Sequence, residues 1–191
     1  RGFDITATGR AFNVASGAKL TIIDSVGGGI VTGSGVANEK GGVITNAGEL
    51  TIRGGKYVYA AGNAVAGGGI IYTASNLTIS GAILDASAFK NTAEGAHGGA
   101  ILASEASGNI TITGSRILGG SAYAGGGIRM GYNNKATIDA CQILNAKAVS
   151  GGALTLFSRV TCPNCRVVEG LLNKAGIPYE KLIADENLDK C

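Results

Sequence analysis

Two cysteines near the carboxyl-terminal end of the chain have the spacing most suggestive of chemistry. They are Cys162 and Cys165 in "TCPNC", a Cys-x-x-Cys motif that contains Pro163. Such a pair can cycle between a dithiol and a disulfide, or it can supply half of a tetrahedral zinc site. A structural zinc site needs four ligands, and the other two cysteines, Cys141 and Cys191, do not have the spacing of a usual second pair. The motif therefore favours thiol–disulfide chemistry, with zinc binding and two inert cysteines as the alternatives.

The residues around this motif predict the elements that would position it. "ALTLFS" at 153–158 is typical of a buried strand, and "IPYEKLIADEN" at 177–187 gives a second strand. Between them, Pro163 suits a first helical turn and Gly176 suits a helix end. The segment predicts a right-handed β-α-β unit with parallel strands, and the helix amino terminus would stabilise a thiolate at the motif. An apolar stripe at helical spacing supports the helix and consists of Val167, Val168, Leu171, Leu172 and Ala175.

This segment resembles the first half of a glutaredoxin, or of a closely related small redoxin with the thioredoxin fold. The resemblance rests on "TLFS", "TCPNC", "LLNKAGIPYE" and "DEN" and covers residues 154–191. It implies that Cys162 attacks a substrate disulfide and Cys165 resolves the mixed disulfide, with Pro163 and Arg166 in support. It also implies a disulfide substrate as partner, glutathione rather than a bound cofactor, and a cytoplasmic location. A thiol–disulfide oxidoreductase is thus one functional hypothesis, although the sequence leaves open whether the chain is an enzyme.

The resemblance covers only part of a redoxin. The later hairpin, the cis-proline that faces the substrate and the glycine pair that grips glutathione have no counterpart in residues 154–191. Two strands and one helix cannot cover both faces of a sheet. Three explanations fit this pattern: a fusion of unrelated pieces, a domain that continues beyond Cys191, or a cap on the end of the preceding domain.

The preceding domain, residues 1–153, differs in composition from the segment at 154–191. Only Gly170 and Gly176 of the 33 glycines follow residue 153, so 33 − 2 = 31 lie in the first domain. The whole chain is 45 % apolar and only 15 % charged, which excludes charge-rich disorder. The net charge of +3 is spread without a Lys/Arg cluster, so we expect no nucleic-acid partner. The apolar runs are short, so we expect no membrane insertion.

Two sequence markers recur through the first domain with one irregular period. A glycine block stands at 27–30, 41–44, 67–70, 98–101, 125–128 and 151–154, and from the second block its spacings are 26, 31, 27 and 26. A strand-like triplet, "LTI" or a close variant, stands at 20–22, 50–52, 77–79, 110–112 and 136–138, with spacings of 30, 27, 33 and 26. Short β-branched strands separated by glycine corners predict coils that bury a common core only when they are stacked. Asparagines near the corners, such as Asn46 and Asn145, suit left-handed backbone and hydrogen bonds along the stack.

The repeat resembles the right-handed parallel β-helix of polymorphic outer-membrane proteins, adhesin-like surface proteins and phage tail proteins. The expected fold class is therefore mainly β, a parallel β-helix over 1–153 followed by a short β-α-β segment. The resemblance implies a structural or binding solenoid on a cell surface or virion, with glycans or a host surface as partners. The two localisations, extracellular for the repeat and cytoplasmic for the redoxin segment, conflict.

A third hypothesis is a polysaccharide-cleaving β-helix, which needs clustered acids on one face of the coils. The acids of the repeat are scattered, and Asp24 and Asp139 are expected to lie a few coils apart. His97, the single histidine, is expected to be a surface turn residue in "EGAHGGA". The tyrosines of the repeat either form an outer stripe for sugar stacking or pack against corner loops; they are Tyr57, Tyr59, Tyr72, Tyr123 and Tyr132.

Overall fold

The chain folds as a parallel β-solenoid in a computed structural model. The structure describes residues 2–104, 108–131, 134–150, 154–158 and 179–183. These ranges hold strands, turns and bends and contain no helix. None of the described residues forms a helix with the length and apolar character needed to cross a membrane.

The strands are short, and most are three to five residues long. In chain order they are β1 Ile5–Ala7, β2 Phe12–Val14, β3 Lys19–Ile23, β4 Ile30–Gly33, β5 Ile44–Asn46, β6 Glu49–Arg53, β7 Lys56–Tyr59, β8 Ile71–Thr73, β9 Leu77–Ser80, β10 Ile83–Asp85, β11 Lys90–Asn91, β12 Ile101–Ala103, β13 Asn109–Thr113, β14 Arg116–Leu118, β15 Ser121–Ala124, β16 Ile128–Met130, β17 Lys135–Asp139, β18 Gln142–Leu144, β19 Lys147–Ser150, β20 Leu154–Ser158 and β21 Tyr179–Ile183.

These strands stack into four parallel sheets that run along the solenoid. Sheet A has the order β1-β4-β7-β10-β14-β18, and sheet B has the order β2-β5-β8-β12-β16-β20-β21. Sheet C has the order β17-β13-β9-β6-β3, and the shorter sheet D has the order β11-β15-β19. Each coil visits sheet A, then B, then C, and sheet D enters between A and B from the fourth coil onward. The prediction of a parallel β-helix for the repeat is confirmed, at about five turns.

The strand-like triplet sets the register of sheet C. Its five copies pair in the predicted alignment, from Leu20↔Leu50 through Leu77↔Ile110 to Ile110↔Ala136. Because side chains alternate across a strand, the aliphatic residues at both ends of each triplet point inward. The six inward side chains of the three central strands are at most 1 % exposed, and they are Leu50, Ile52, Leu77, Ile79, Ile110 and Ile112.

The glycine blocks do not all occupy the same position of the coil. The block at 27–30 leads into sheet A, where Ile30 begins β4, whereas the later blocks lead into sheet B. The block at 67–70 is displaced by one residue, since Ile44 pairs with Ile71 rather than with Ile70. Gly67 is an additional residue before the pair Gly68–Gly69, and the sequence pattern alone cannot show which two of three glycines align with the next coil.

Each aligned glycine pair makes two different physical demands. Gly98 has φ +66°, and a Cβ there would lie 2.2 Å from the Ile101 carbonyl oxygen of its own corner. At Gly99, a Cβ would lie 1.9 Å from the carbonyl oxygen of Gly126 on the next coil. The first glycine therefore permits a left-handed backbone, and the second lets two coils approach each other closely.

Asparagine hydrogen bonds join neighbouring coils, as the sequence predicts. Asn46 is 1 % exposed, and its Nδ2 donates to Thr73 Oγ1 at 3.0 Å and to the Asn76 carbonyl oxygen at 2.8 Å. Its Oδ1 accepts from the Gly48 N–H at 3.1 Å. The buried amide is thus satisfied on both sides. Asn145, with φ +57°, takes the left-handed corner conformation.

The last two described strands continue sheet B. Ile128 of β16 pairs with Leu154 of β20, so the predicted continuation of the repeat register into this strand is confirmed. β20 and β21 are parallel and pair from Leu154↔Tyr179 to Ser158↔Ile183. The step in sequence from Leu154 to Tyr179 is nearly the same as the step from Ile128 to Leu154. The predicted pair of parallel strands is present, while the predicted helix between them lies outside the described residues.

Candidate functional site

The predicted redox residues lie outside the part of the chain that the structure describes. They are Cys162, Cys165, Pro163 and Arg166. Their assignment as attacking thiol, resolving thiol and supporting residues stays a prediction. The described strands on either side, β20 and β21, are parallel, as a β-α-β unit requires. The same parallel pairing also suits one further coil of the solenoid, since all described strand pairs are parallel.

A row of five threonines occupies the outer face of sheet C. Each is the middle residue of a strand-like triplet, and each pairs with the next in register. Neighbouring strands of a sheet lie about 4.8 Å apart, so four intervals give a row about 19 Å long parallel to the solenoid axis. The row consists of Thr21, Thr51, Thr78, Thr111 and Thr137.

The hydroxyls of this row are open. Within the described ranges, no hydrogen bond engages Oγ1 of any of the five threonines. Thr21, Thr78 and Thr137 are exposed, and Thr51 and Thr111 are partly exposed. A hydroxyl is one donor and two acceptors, and a β-branched side chain is stiff at χ1. The face therefore presents hydrogen-bonding groups that are regularly spaced and already held in position.

The threonine row is not among the candidate residues predicted from the sequence. The triplet was identified as a marker of the fold because its aliphatic residues repeat. Its central threonine repeats equally well, and strand alternation places that residue on the opposite, outer face. The available signal was a polar residue that recurs at one outward position of every coil.

The outward side chains beside the threonine row are charged near both ends of the row and neutral in its middle. On the amino-terminal coils, Lys19 Nζ lies 2.8 Å from Glu49 Oε2, and Arg53 is exposed. On the carboxyl-terminal coil, Lys135 and Asp139 are exposed. Between these groups, β9 and β13 carry only neutral outward side chains. Together with Asn76, which directly precedes β9, these neutral side chains are Thr78, Ser80, Asn109, Thr111 and Thr113.

Asp24, which follows β3, and Asp139, the last residue of β17, do not form a carboxylate pair. Asp139 pairs in register with Thr113 and occupies the position of Ile23, four strands along sheet C and about 19 Å away. Asp24, next to Ile23, is therefore remote from Asp139, as predicted. Hydrogen bonds from the Gly29 and Gly27 N–H groups lower the pKa of Asp24 and fix it as a corner acceptor.

Other acids are engaged in ion pairs. Asp85 Oδ2 lies 3.0 Å from Lys56 Nζ, and Glu39 Oε2 lies 2.9 Å from an Arg10 guanidinium nitrogen. No group of three or more His, Cys, Asp or Glu side chains among the described residues is arranged to hold a metal ion.

His97 lies in a corner ladder rather than at a free surface turn. Its backbone bridges Gly67 on one side and Ala124 on the other, and Gly67 in turn bridges Lys40. The imidazole is partly buried, and its centroid lies 5.8 Å from that of Tyr123. Its Nδ1 is inaccessible to solvent and has no hydrogen-bond partner. The expectation of a surface turn residue was therefore wrong, because this corner is covered by the next coil.

The environment of His97 predicts an acid-sensitive corner. Burial, followed by the nearby positive charges of Arg129 and Lys40, lowers the pKa of His97 from 6.5 to about 4. The folded chain then binds fewer protons than the unfolded chain between these values. The contribution of His97 to the free energy of unfolding is therefore constant above pH 6.5. It decreases as the pH falls from 6.5 toward 4, because the unfolded chain is protonated first. Urea midpoints measured from pH 7 to pH 4 should fall more steeply for the wild type than for His97→Phe; parallel curves would contradict this assignment.

The tyrosines divide between the core and the surface. Tyr57 and Tyr59 are 1 % and 4 % exposed and belong to the core, so they cannot contribute to an outer aromatic stripe. Tyr72 and Tyr123 are partly exposed, and Lys40 Nζ lies 5.3 Å from the Tyr72 ring centroid. Tyr132 lies outside the described residues. The stripe is therefore not continuous, and packing is the role of the two core tyrosines.

Comparison of the chain with protein-family models, with curated proteins and with solved structures finds no match.

Proposed function

We propose that this protein is a structural or binding β-solenoid, displayed on a cell surface or virion, that performs no catalysis in its repeat. Its partners are glycans or a host surface, met by the outer faces of the coils. The proposed function is that of an adhesin-like protein. It agrees with the resemblance of the repeat to the β-helices of surface proteins and phage tail proteins.

The threonine row of sheet C is the observation that supports this proposal most. A long face of open, regularly spaced hydroxyls suits binding over many small contacts, and the row itself supplies no general base to activate a hydroxyl as a nucleophile. Asp24 is remote from Asp139 and accepts hydrogen bonds from backbone N–H groups, while Asp85 and Glu39 contact basic partners. An extended surface with no assembled catalytic group is better suited to binding than to turnover.

Surface display can be tested directly on intact cells that produce the chain or on intact virions that carry it. An antibody against the repeat should label intact particles, and external protease should remove the label without lysis. A cytoplasmic protein of the same cells serves as the control for particle integrity. Label that appears only after lysis would overturn surface display.

The second candidate function is thiol–disulfide exchange through Cys162 and Cys165. It rests on the Cys-x-x-Cys motif, and the parallel pairing of β20 with β21 on either side of the motif is compatible with it. In this role, Cys162 attacks a substrate disulfide, and Cys165 then releases the second product thiol by forming the intramolecular disulfide. Two glutathione molecules restore the dithiol and leave as glutathione disulfide. Its signature would be disulfide turnover that disappears in Cys162→Ser.

A further inference from the structure

The outer face of sheet C has a chemical character that narrows the class of ligand. Its central strands, β9 and β13, present only amide and hydroxyl groups, and its charged residues lie toward the two ends. Lys19 and Glu49 neutralise each other in an ion pair. A charged ligand would give up hydration at the centre of this face without meeting an opposite charge there. The charge distribution therefore complements an uncharged ligand.

The spacing of the threonine hydroxyls further restricts the class of ligand that would fit this face. The five threonines repeat once per coil along a row of about 19 Å. A ligand that used the whole row would need donors and acceptors repeated along its own length. Each threonine also offers a methyl group, which can contact the C–H surface of such a ligand. Hydroxyls that both donate and accept are matched by the hydroxyls of a carbohydrate.

We infer that the outer face of sheet C binds an extended, uncharged polysaccharide that lies parallel to the solenoid axis. This inference rests on the proposed binding function and names the face and the ligand class. The contacts are centred on Thr78, Thr111 and Thr113, with Asn76 and Asn109 beside them. Because the β-branched side chains are held by the sheet, little side-chain freedom is lost when the ligand binds.

Affinity electrophoresis of the full chain tests this inference. Native gels would contain dextran, galactomannan or hydroxyethyl cellulose, with alginate as the charged polymer and a plain gel as reference. At least one neutral polymer should retard the wild type more strongly than alginate does. The double variant Thr78→Val/Thr111→Val keeps the β-branched shape and removes two central hydroxyls. It should bind about tenfold more weakly, as expected for the loss of two neutral hydrogen bonds.

A matched control lies on another sheet. Thr6 and Thr32 pair in register on sheet A, and Thr6→Val/Thr32→Val removes two outward hydroxyls from the wrong face. This variant should keep the wild-type retardation. Circular dichroism and melting of both double variants should match the wild type, because valine suits an outward strand position.

Several outcomes would overturn the inference. One is that none of the three neutral polymers retards the wild type, and another is that both double variants lose retardation equally. If the protein causes thermal hysteresis of freezing and no polysaccharide retards it, the ligand of the threonine row would be an ice surface. A doubled mass in light scattering that Thr78→Val/Thr111→Val abolishes would assign it to a second copy. If intact particles are labelled but no neutral polymer binds, this inference fails and the proposed surface function stands.

Discussion

Replacing Gly99 with alanine should destabilise the folded chain by about 3 kcal/mol or more, enough to unfold a marginal domain. The new Cβ would lie 1.9 Å from the Gly126 carbonyl oxygen and 2.9 Å from the Gly120 nitrogen. Both atoms belong to the backbone of the next coil, so no flexible side chain can move aside. The coils are joined at this point by the hydrogen bond from the Gly99 N–H to the Gly125 carbonyl oxygen at 2.9 Å. Relief of the clash therefore requires the stack itself to separate.

A second glycine provides the matched control. Gly114 has φ +54°, and an added Cβ there would have no neighbour within 4 Å. Gly114→Ala should cost only the strain of a left-handed alanine, about 1 kcal/mol. Urea denaturation followed by circular dichroism compares the two variants through their midpoints and slopes. Equal losses at the two positions would refute close coil contact as the reason for the second glycine of each pair.

Replacing Phe89 with alanine should cost about 3–5 kcal/mol, because it empties a corner of the core. Phe89 is 1 % exposed, and its ring centroid lies 5.9 Å from that of Tyr59. Its Cβ lies 3.1 Å from the position of a Cβ on Gly69 and 2.7 Å from that of a Cβ on Gly120. The absence of side chains at these two glycines lets the aromatic residue fit between coils. The backbone around the emptied site is fixed by the coil-to-coil hydrogen bonds and cannot collapse easily.

The chain contains a matched control for this substitution. Phe3 is 96 % exposed, so Phe3→Ala removes the same side chain without opening a cavity. Its effect on the free energy of unfolding should stay within about 0.5 kcal/mol. Thermal and urea unfolding of both variants at one pH checks the contrast. A loss at Phe89 no larger than that at Phe3 would show that the corner is not a packed part of the core.

The sequence predicted the fold best where two periodic signals coincide. The triplet combines aliphatic alternation with a fixed place in each coil, and its register in sheet C was predicted correctly from Leu20 to Ala136. The glycine blocks were less informative, because glycine serves two purposes here. Gly27 and Gly28 form a left-handed corner before sheet A, whereas Gly98 and Gly99 close the stack before sheet B.

The candidate binding face follows only when two sequence signals are combined, the alternation of side chains along a strand and the coil register that the triplets predict. Strand alternation predicts that Thr78 and Thr111 point outward, but only the coil register places them next to each other. Thr78 and Thr111 lie further apart in sequence than Thr111 and Thr137 do, yet both pairs are adjacent in the sheet. Because the loops between the strands differ in length, the threonines are unevenly spaced in sequence although they are evenly spaced in the sheet. His97 was misassigned for a related reason, since the coil that covers its corner returns to it only at Ala124.

The chemistry suggested by the cysteine motif depends on different evidence. A Cys-x-x-Cys pair can be recognised from spacing, but its reactivity depends on thiol exposure and on the surrounding charge. The described neighbours, β20 and β21, establish parallel pairing that starts at Leu154↔Tyr179. The length of chain between these partners suits both a β-α-β unit and one further coil, so strand pairing alone does not distinguish the two functions.

Disulfide turnover tests most directly whether this solenoid acts by binding rather than by redox catalysis. The substrate would be a small disulfide with glutathione and a coupled glutathione-reductase assay, compared between the full wild-type chain and Cys162→Ser. Cys141→Ser, in the repeat, controls for reaction of an unrelated thiol, since Cys141 is a partly buried free cysteine. We expect all three proteins to give the same rate as the assay without protein. Turnover by the wild type and by Cys141→Ser that is lost in Cys162→Ser would contradict it.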